Sequence, residues 1–213
     1  MVTIRLDTAA QDGRRTRWAA HRQRRMRELV DAGLAAIRER GADVGVAEVA
    51  ARVGTSKAGV YRYFDSKAAL HVAVCQRVGD TVADRVSGAM ARERTARRKL
   101  SAAVDEYLRL IESDPRVYRF VTRQPVPDRA IGADPLAEAS ALLGERIAVQ
   151  LSELFRSLAP PAAARPWGHG LVGMVRAAAD QWLADEPRIP RAELAEYLTE
   201  LAWSGLRPKV SRK

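Results

Sequence analysis

The residues with the most chemistry to offer lie between Val46 and Leu70, in the stretch VAEVAARVGTSKAGVYRYFDSKAAL. Lys57, Tyr61, Arg62 and Tyr63 place cations and flat, hydrogen-bonding rings close together. Such a set can hold phosphate oxygens and read the polar edges of bases, the two tasks of a helix in the major groove. Positioning them needs a short helix with one buried face. Val60 and Phe64, at i and i+4 within Lys57 to Phe64, supply it. Ahead of them Val46, Val49, Ala50 and Val53 recur at helical spacing, which predicts another helix. Gly54 can take the left-handed backbone that stops the first helix, and Thr55 or Ser56 can cap the second. Two short helices joined by a tight turn follow, with a third starting behind Asp65-Ser66.

This segment resembles the helix-turn-helix of TetR-family transcriptional regulators. The matching positions are Val49, Ala50, Gly54, Ser56, Lys57, Val60, Tyr61, Tyr63, Phe64, Ser66, Lys67 and Leu70. Gly-x-Ser, Tyr-x-Tyr-Phe and Ser-Lys-x-x-Leu at this spacing carry the resemblance. Val53 and Thr55 stand where the family usually has Ala and Val, and Ala58 replaces a frequent Gly. Gly45 fills the slot of a Thr or Ser cap, so no side-chain phosphate contact is assigned to it. The resemblance implies an all-α chain of about nine helices. Residues 1–65 would form an N-terminal arm and three-helix DNA-binding domain, and residues 66–213 a helical ligand-binding and dimerisation domain. It also implies a homodimer on a double-stranded, pseudo-palindromic operator, acting as a repressor released by a small-molecule effector. An activator, or a ligand-binding or scaffold protein on the same fold that no longer reads DNA, are the alternatives.

Charge agrees with a polyanionic partner. The net charge is +10, and residues 1–64 carry thirteen basic against seven acidic side chains. Residues 65–213 carry twenty-three against nineteen, a thinner excess over more than twice the length. The basic side chains are densest ahead of the helix-turn-helix. Arg14, Arg15 and Arg17 are read as phosphate or minor-groove contacts, while Arg22 to Arg27 suit either DNA or a solvated face. Thr55, Ser56, Ala58, Gly59 and Arg62 surround the groove-facing end, and Arg62 suits either a guanine or a backbone contact. Lys57 and Lys67 supply charge near phosphates, with Tyr61 and Tyr63 packing on the sugar-phosphate backbone.

Little else suggests reactivity. His21, His71 and His169 have no metal-type spacing, and no nucleophile elbow, phosphate loop or dinucleotide fingerprint is present. The expectation is a non-enzyme with no cofactor and no metal. Cys75 is the only cysteine, which excludes an intrachain disulfide; it suits a thiol sensor or, more plainly, a buried small side chain. His169 suits an effector contact or a structural histidine. Arg116, Arg119 and Arg123 suit an anionic effector or a solvated face. No signal-type N-terminus and no apolar run of about 20 residues is seen, so a cytoplasmic protein without a membrane partner is expected.

Periodicity predicts helices over Thr16 to Arg40 and from Asp65-Ser66 to Arg92, the latter interrupted at Gly79 and kinked near Ser87-Gly88. Further helices are predicted over Lys99 to Glu112, from Asp114-Pro115, from Asp134-Pro135 to Leu158, and over Pro166 to Ala184 and Pro190 to Leu206. Residues 1–13 read as disordered without DNA, and Gln124 to Asp134 as a loop. The last two helices are apolar over more than one face, which predicts a second packed surface. By resemblance this is a dimer bundle, with Leu171, Val175, Ala178, Trp182, Leu194, Leu198, Leu201 and Trp203 as its candidates. Tyr107, Tyr118, Phe120, Phe155, Trp167, Met174 and Trp182 are the candidates to line an effector pocket.

Overall fold

The computed structural model describes residues 7–41, 43–123 and 160–205, with 145, 149, 152 and 153 between them. Among the described residues there are eight α-helices and no strand. They are α1 (Asp7–Arg40), α2 (Val46–Arg52), α3 (Lys57–Tyr61), α4 (Lys67–Ala91), α5 (Ala96–Ser113), α6 (Pro115–Arg123), α7 (Pro161–Ala184) and α8 (Arg191–Gly205). The chain divides into two compact units, Met1–Val74 and Cys75–Lys213.

In the first unit, α1 begins nine residues earlier than periodicity predicts. Ala9, Ala10 and Gln11 are good helix formers, and Asp7 and Asp12 favour the positive end of the helix dipole. Residues 7–13 are therefore helical, a correction to the expected disorder. Gly41, at φ +85°, ends α1 and donates its N–H to the Ile37 carbonyl at 2.7 Å. The core of this unit joins Leu29, Leu34 and Ile37 of α1 to Val46 and Val49 of α2, with Val60, Phe64, Leu70 and Val74 behind them. At Gly33 a methyl group would lie 3.1 Å from the Val74 side chain, so α1 and α4 approach closely there.

In the second unit a continuous apolar cluster runs from Val86 and Met90 of α4 through Leu100, Val104 and Leu108 of α5 to α7 and α8. The Thr95 hydroxyl caps α5, which starts at Ala96, three residues ahead of the predicted Lys99. Asp114 accepts from Val117 at 3.4 Å with Pro115 at the first helical position, as the Asp-Pro pair predicts. Polar links tie the helices outside this core. Arg85 donates to Glu106 at 2.8 Å, Arg97 pairs with Glu200 at 2.8 Å, and Arg191 pairs with Asp105 and with Glu112.

Two expected breaks do not occur. α4 passes through Gly79 and Ser87-Gly88 as one helix. α7 starts at Pro161, so Pro166 sits inside it instead of opening it. The glycines of α4 cost only a modest local propensity, which packing outweighs, while Pro166 gives up one backbone hydrogen bond inside α7. The predicted helix from Pro135 to Leu158 and the loop before it fall almost wholly outside the described residues.

Candidate nucleic-acid interface

The turn between α2 and α3 is fixed by backbone hydrogen bonds. Gly54 adopts φ +65°; its N–H reaches the Ala51 carbonyl at 3.2 Å, and the Thr55 N–H reaches that of Ala50 at 2.9 Å. These are the two bonds of a Schellman end, which needs left-handed backbone at the glycine. Ser56 is the cap of α3: its Oγ accepts the Gly59 N–H at 3.1 Å. The Ser56 hydroxyl keeps its own hydrogen to donate outward. Gly59 is demanded by space, since a methyl group there would lie 2.1 Å from the Thr55 hydroxyl oxygen and 3.3 Å from its Cβ. Its place among the candidate contacts is thus explained by the turn itself.

At α2 the Gly45 position has no side chain to cap with, and only the reciprocal half of a capping box forms. Glu48 accepts the Gly45 N–H at 2.9 Å. That bond, with Arg40 and Arg52 nearby, holds the Glu48 carboxyl below the usual carboxylate range. Arg40 pairs with Glu48, and Arg52 with Glu39, so these two arginines are committed within the unit.

The expected contacts share the exposed side of this frame. Ser56, Lys57, Tyr61, Arg62 and Lys67 are exposed, and Thr55, Gly59 and Tyr63 are half-buried. α3 has only five residues, and Arg62 is its C-cap, at the end opposite the Ser56 cap. Thr55, Ser56, Lys57 and Ala58 therefore hold the N-terminal end. The Ser66 Oγ accepts the Ala69 N–H at 3.0 Å and starts α4, with Lys67 as its first residue. A cation in the first turn opposes the helix dipole, which there attracts anions. Lys57 and Lys67 thus create two strongly positive spots, each at a helix start with N–H groups pointing out, and both suit phosphate. Arg22 of α1 lies 5.8 Å over the Tyr63 ring, a contact that spacing alone did not reveal. Arg25 donates to the Val53 carbonyl at 3.2 Å and pairs with Glu28 at 2.7 Å. Arg14, Arg15 and Arg17 stand on the forward part of α1.

The other candidate set lies in the second unit. An apolar cleft with about 380 Å³ of empty space, part of it open to solvent, is lined by residues that include Val86, Leu100, Val104, Tyr107, Leu171 and Val175. Of the six pocket candidates among the described residues, only Tyr107 lines it. Tyr118 and Trp182 are buried core, Trp167 and Met174 pack against that core, and Phe120 is fully buried. Phe155 lies outside the described residues. Tyr118 donates to Asp180 at 2.7 Å, and burial, with Tyr107 and Asp180 beside it, raises its hydroxyl pKa. Burial raises that of Tyr107 as well. The cleft that sequence reasoning missed is a gap between aliphatic side chains, and a gap leaves no mark in composition.

The dimer candidates separate in the same way. Leu171, Val175, Trp182, Leu194 and Leu198 belong to the protomer's own core, and Ala178 and Trp203 pack against it. Leu201 is 62% exposed, and Tyr197, one turn earlier on α8, is 56% exposed. Counting apolar residues on α7 and α8 could not divide core from surface, because the core takes more than one face of each. Cys75 is buried, in keeping with its plainer reading. His169 pairs with Glu145 at 2.8 Å. Arg116 and Arg119 are exposed. Among the described residues no group of His, Cys, Asp and Glu could hold a metal ion, and no helix is long and apolar enough to cross a membrane.

Comparison with known proteins finds two family matches. Residues 29–74 match the model for bacterial regulatory proteins of the tetR family, and residues 85–212 the tetracyclin repressor-like C-terminal domain. An uncharacterized HTH-type transcriptional regulator of Mycobacterium tuberculosis, Rv0472c, is 31% identical over 201 residues, covering 93% of this chain and 84% of its own. The HTH-type transcriptional activator FasR of Mycolicibacterium smegmatis is 29% identical over 162 residues, covering 76% and 73%. Among solved structures, a tetR-family transcriptional regulator from Streptomyces coelicolor superposes with a TM-score of 0.70 at 25% identity, covering 86% of this chain and 80% of that one.

Proposed function

The chain belongs to the TetR family of DNA-binding transcriptional regulators, and from that premise we propose that it works in the cytoplasm as a homodimeric repressor of a pseudo-palindromic operator, released by a small apolar effector. The carrying observation is the pair of capped helix starts, Ser56-Lys57 and Ser66-Lys67, at the two ends of α3 behind a turn fixed by Gly54. Lys57 and Lys67 neutralise phosphates, Tyr61 and Tyr63 lie on the sugar-phosphate backbone, and Thr55, Ser56 and Ala58 face the bases. Arg62 reaches the groove from the far end of α3.

Two half-sites one helical turn apart need two protomers. The surface left for a partner is the exposed side of α8, at Tyr197 and Leu201, and an exposed line of small residues on α7, Gly170, Gly173 and Ala177. A two-fold interface is self-complementary, so one substitution acts twice. The cleft beside Val104 and Tyr107 has an apolar lining that suits a hydrocarbon body, which would have to widen it to enter fully. A ligand that fits one state better lowers operator affinity only by that difference.

The opposite sign of control is the second reading, favoured by the relative named as an activator. One experiment tests the function. Duplexes from around the protein's own gene are titrated with it, and bound species are sized by sedimentation. Two protomers on one duplex are expected, and Leu201→Glu should give folded protomers that bind it weakly. A 23.4 kDa monomer that binds no such duplex would sink the proposal. A reporter behind the same DNA then separates repressor from activator.

A further inference from the structure

Several arginines of the second unit are held by carboxylates. Arg85 and Arg109 meet Glu106, Arg97 meets Glu200, Arg165 meets Glu145, and Arg191 meets Asp105 and Glu112. Arg176 on α7 departs from this pattern. It is half-buried, and among the described residues no hydrogen bond or ion pair engages it. Asp180, the carboxylate one turn further along α7, is taken by the Tyr118 hydroxyl at 2.7 Å. A guanidinium that loses part of its water without gaining a carboxylate gives up free energy on folding. An anion arriving from outside would restore it.

The position of Arg176 says which anion. Leu171, Val172 and Val175 of α7 line the apolar cleft. Arg176 follows Val172 by four residues, so the two share a helix face. Side chains on a helix lean back towards its N-terminus, which carries the Arg176 stem over the turn that holds Val172. Its charge is felt at the Tyr107 hydroxyl, where it opposes the rise that burial causes. Tyr107 also lines the cleft. An unpaired cation thus stands beside a space with apolar walls.

We propose that this cleft takes a monocarboxylate, its hydrocarbon chain among Val86, Val104 and Val175 and its carboxylate on the Arg176 guanidinium. This rests on the effector reading above, and it makes the effector apolar except at one charged end. A carboxylate matches the guanidinium fork with two parallel hydrogen bonds. One cation with Asp180 close by suits a single negative charge. The far end must be uncharged, because the residues lining the cleft offer a second carboxylate no cation. The ligand also has to widen the cleft to enter fully, which favours a thin, flexible chain over fused rings.

The test is calorimetric titration of the full chain, without DNA, with three probes of one length: octanoate, 1-octanol and the dicarboxylate suberate. Octanoate should bind at least about tenfold more tightly than 1-octanol, the effect of one hydrogen-bonded charge. Suberate should bind at least about tenfold more weakly than octanoate, since its second charge would enter the apolar cleft. Arg176→Gln should bring octanoate down to the level of 1-octanol and leave 1-octanol unchanged, while Arg176→Lys keeps part of the preference. Arg119→Gln, which removes an exposed arginine of α6, should change neither. A thermal scan shows that each variant is folded, and the comparison of probes on the wild type stands without any variant. Equal binding of octanoate and 1-octanol, or a preference that survives Arg176→Gln, would overturn this inference and leave an apolar effector standing. Suberate binding as tightly as octanoate, or an equal loss in Arg119→Gln, would also overturn it, in favour of anions gathering on a basic surface. A wild type that binds no probe would overturn both this and the assignment of the cleft to an effector.

Discussion

The two compact units use their residues in opposite ways. In the first, the distinctive side chains are outside: Lys57, Tyr61, Arg62 and Lys67 stand exposed on a frame set by Gly54, Ser56 and Ser66. In the second, the distinctive features are inside: an apolar cleft, and a buried and a half-buried tyrosine, Tyr118 and Tyr107, beside Asp180. A surface that meets a polyanion needs particular charges at particular places, so substitutions there change binding without changing the core. A cleft needs only volume and apolar walls, which many side-chain sets can supply. Stability and DNA affinity should therefore separate cleanly by unit.

The largest effect expected from this contrast is on stability. Leu108 is fully buried in the α5 side of the second unit's core. Leu108→Ala removes that packing and leaves a cavity, at a cost of about 2–5 kcal/mol. Urea unfolding should show the loss, while protein still folded binds random DNA with the wild-type salt slope. A changed slope would mean the two units are not separable in the way described.

The next effect is on affinity. Lys57→Ala with Lys67→Ala removes two phosphate contacts. With log affinity falling as about 0.9 per contact per decade of salt, the double variant should bind roughly sixtyfold more weakly at 0.1 M. Its salt slope should fall by about 1.8, and its melting temperature should stay close to wild type, because both side chains are exposed. Anisotropy titrations at four salt concentrations measure both quantities. Weakening with an unchanged slope would point to base contacts, or to a disturbed turn, in place of phosphates.

The same contrast explains what could be read from the chain before its structure. Gly54, Val60 and Phe64 are each dictated by local geometry, so the α2–α3 turn was legible in the chain, while the choice of Ser56 over Thr55 as the cap is made only by the Gly59 N–H that Ser56 accepts. Gly59 was legible as a position but not as a cause, since its closeness to the Thr55 hydroxyl is a three-dimensional fact. Arg22 over Tyr63 joins residues forty-one positions apart and had no local signal. In the second unit, helix ends marked by Asp114-Pro115 and Pro190 were legible. The division of Leu198 from Leu201 was not, because both are leucines on one apolar helix and only packing assigns one to the core. Most of the described aromatic candidates went to the core for a related reason: aromatic residues draw the eye, yet apart from Tyr107 aliphatic ones line the space.

The smallest effect separates the units by pH. His71, on α4 within the first unit, lines a small gap with Gly33, Ile37, Val49 and Leu70. Burial lowers its pKa from 6.5 to about 4, and Lys67 adds to the shift. The folded state thus prefers neutral His71, while the unfolded chain takes up a proton near pH 6.5. Its contribution to stability is fully present above pH 6.5 and is lost as the pH falls from there towards 4. The ring is only partly buried, so solvent screening reduces the energy below what the shift alone would suggest. Other carboxylates also titrate in acid, so the informative quantity is the difference between two proteins. His71→Leu should flatten the fall in melting temperature between pH 7 and 4.5, each kcal/mol removed appearing as roughly 2–4 °C for a chain of this size. The measurement is a thermal scan of both proteins across that range, with a Leu108→Ala control whose slope should match wild type. Parallel curves for wild type and His71→Leu would show that this histidine is no more neutral in the folded unit than in water.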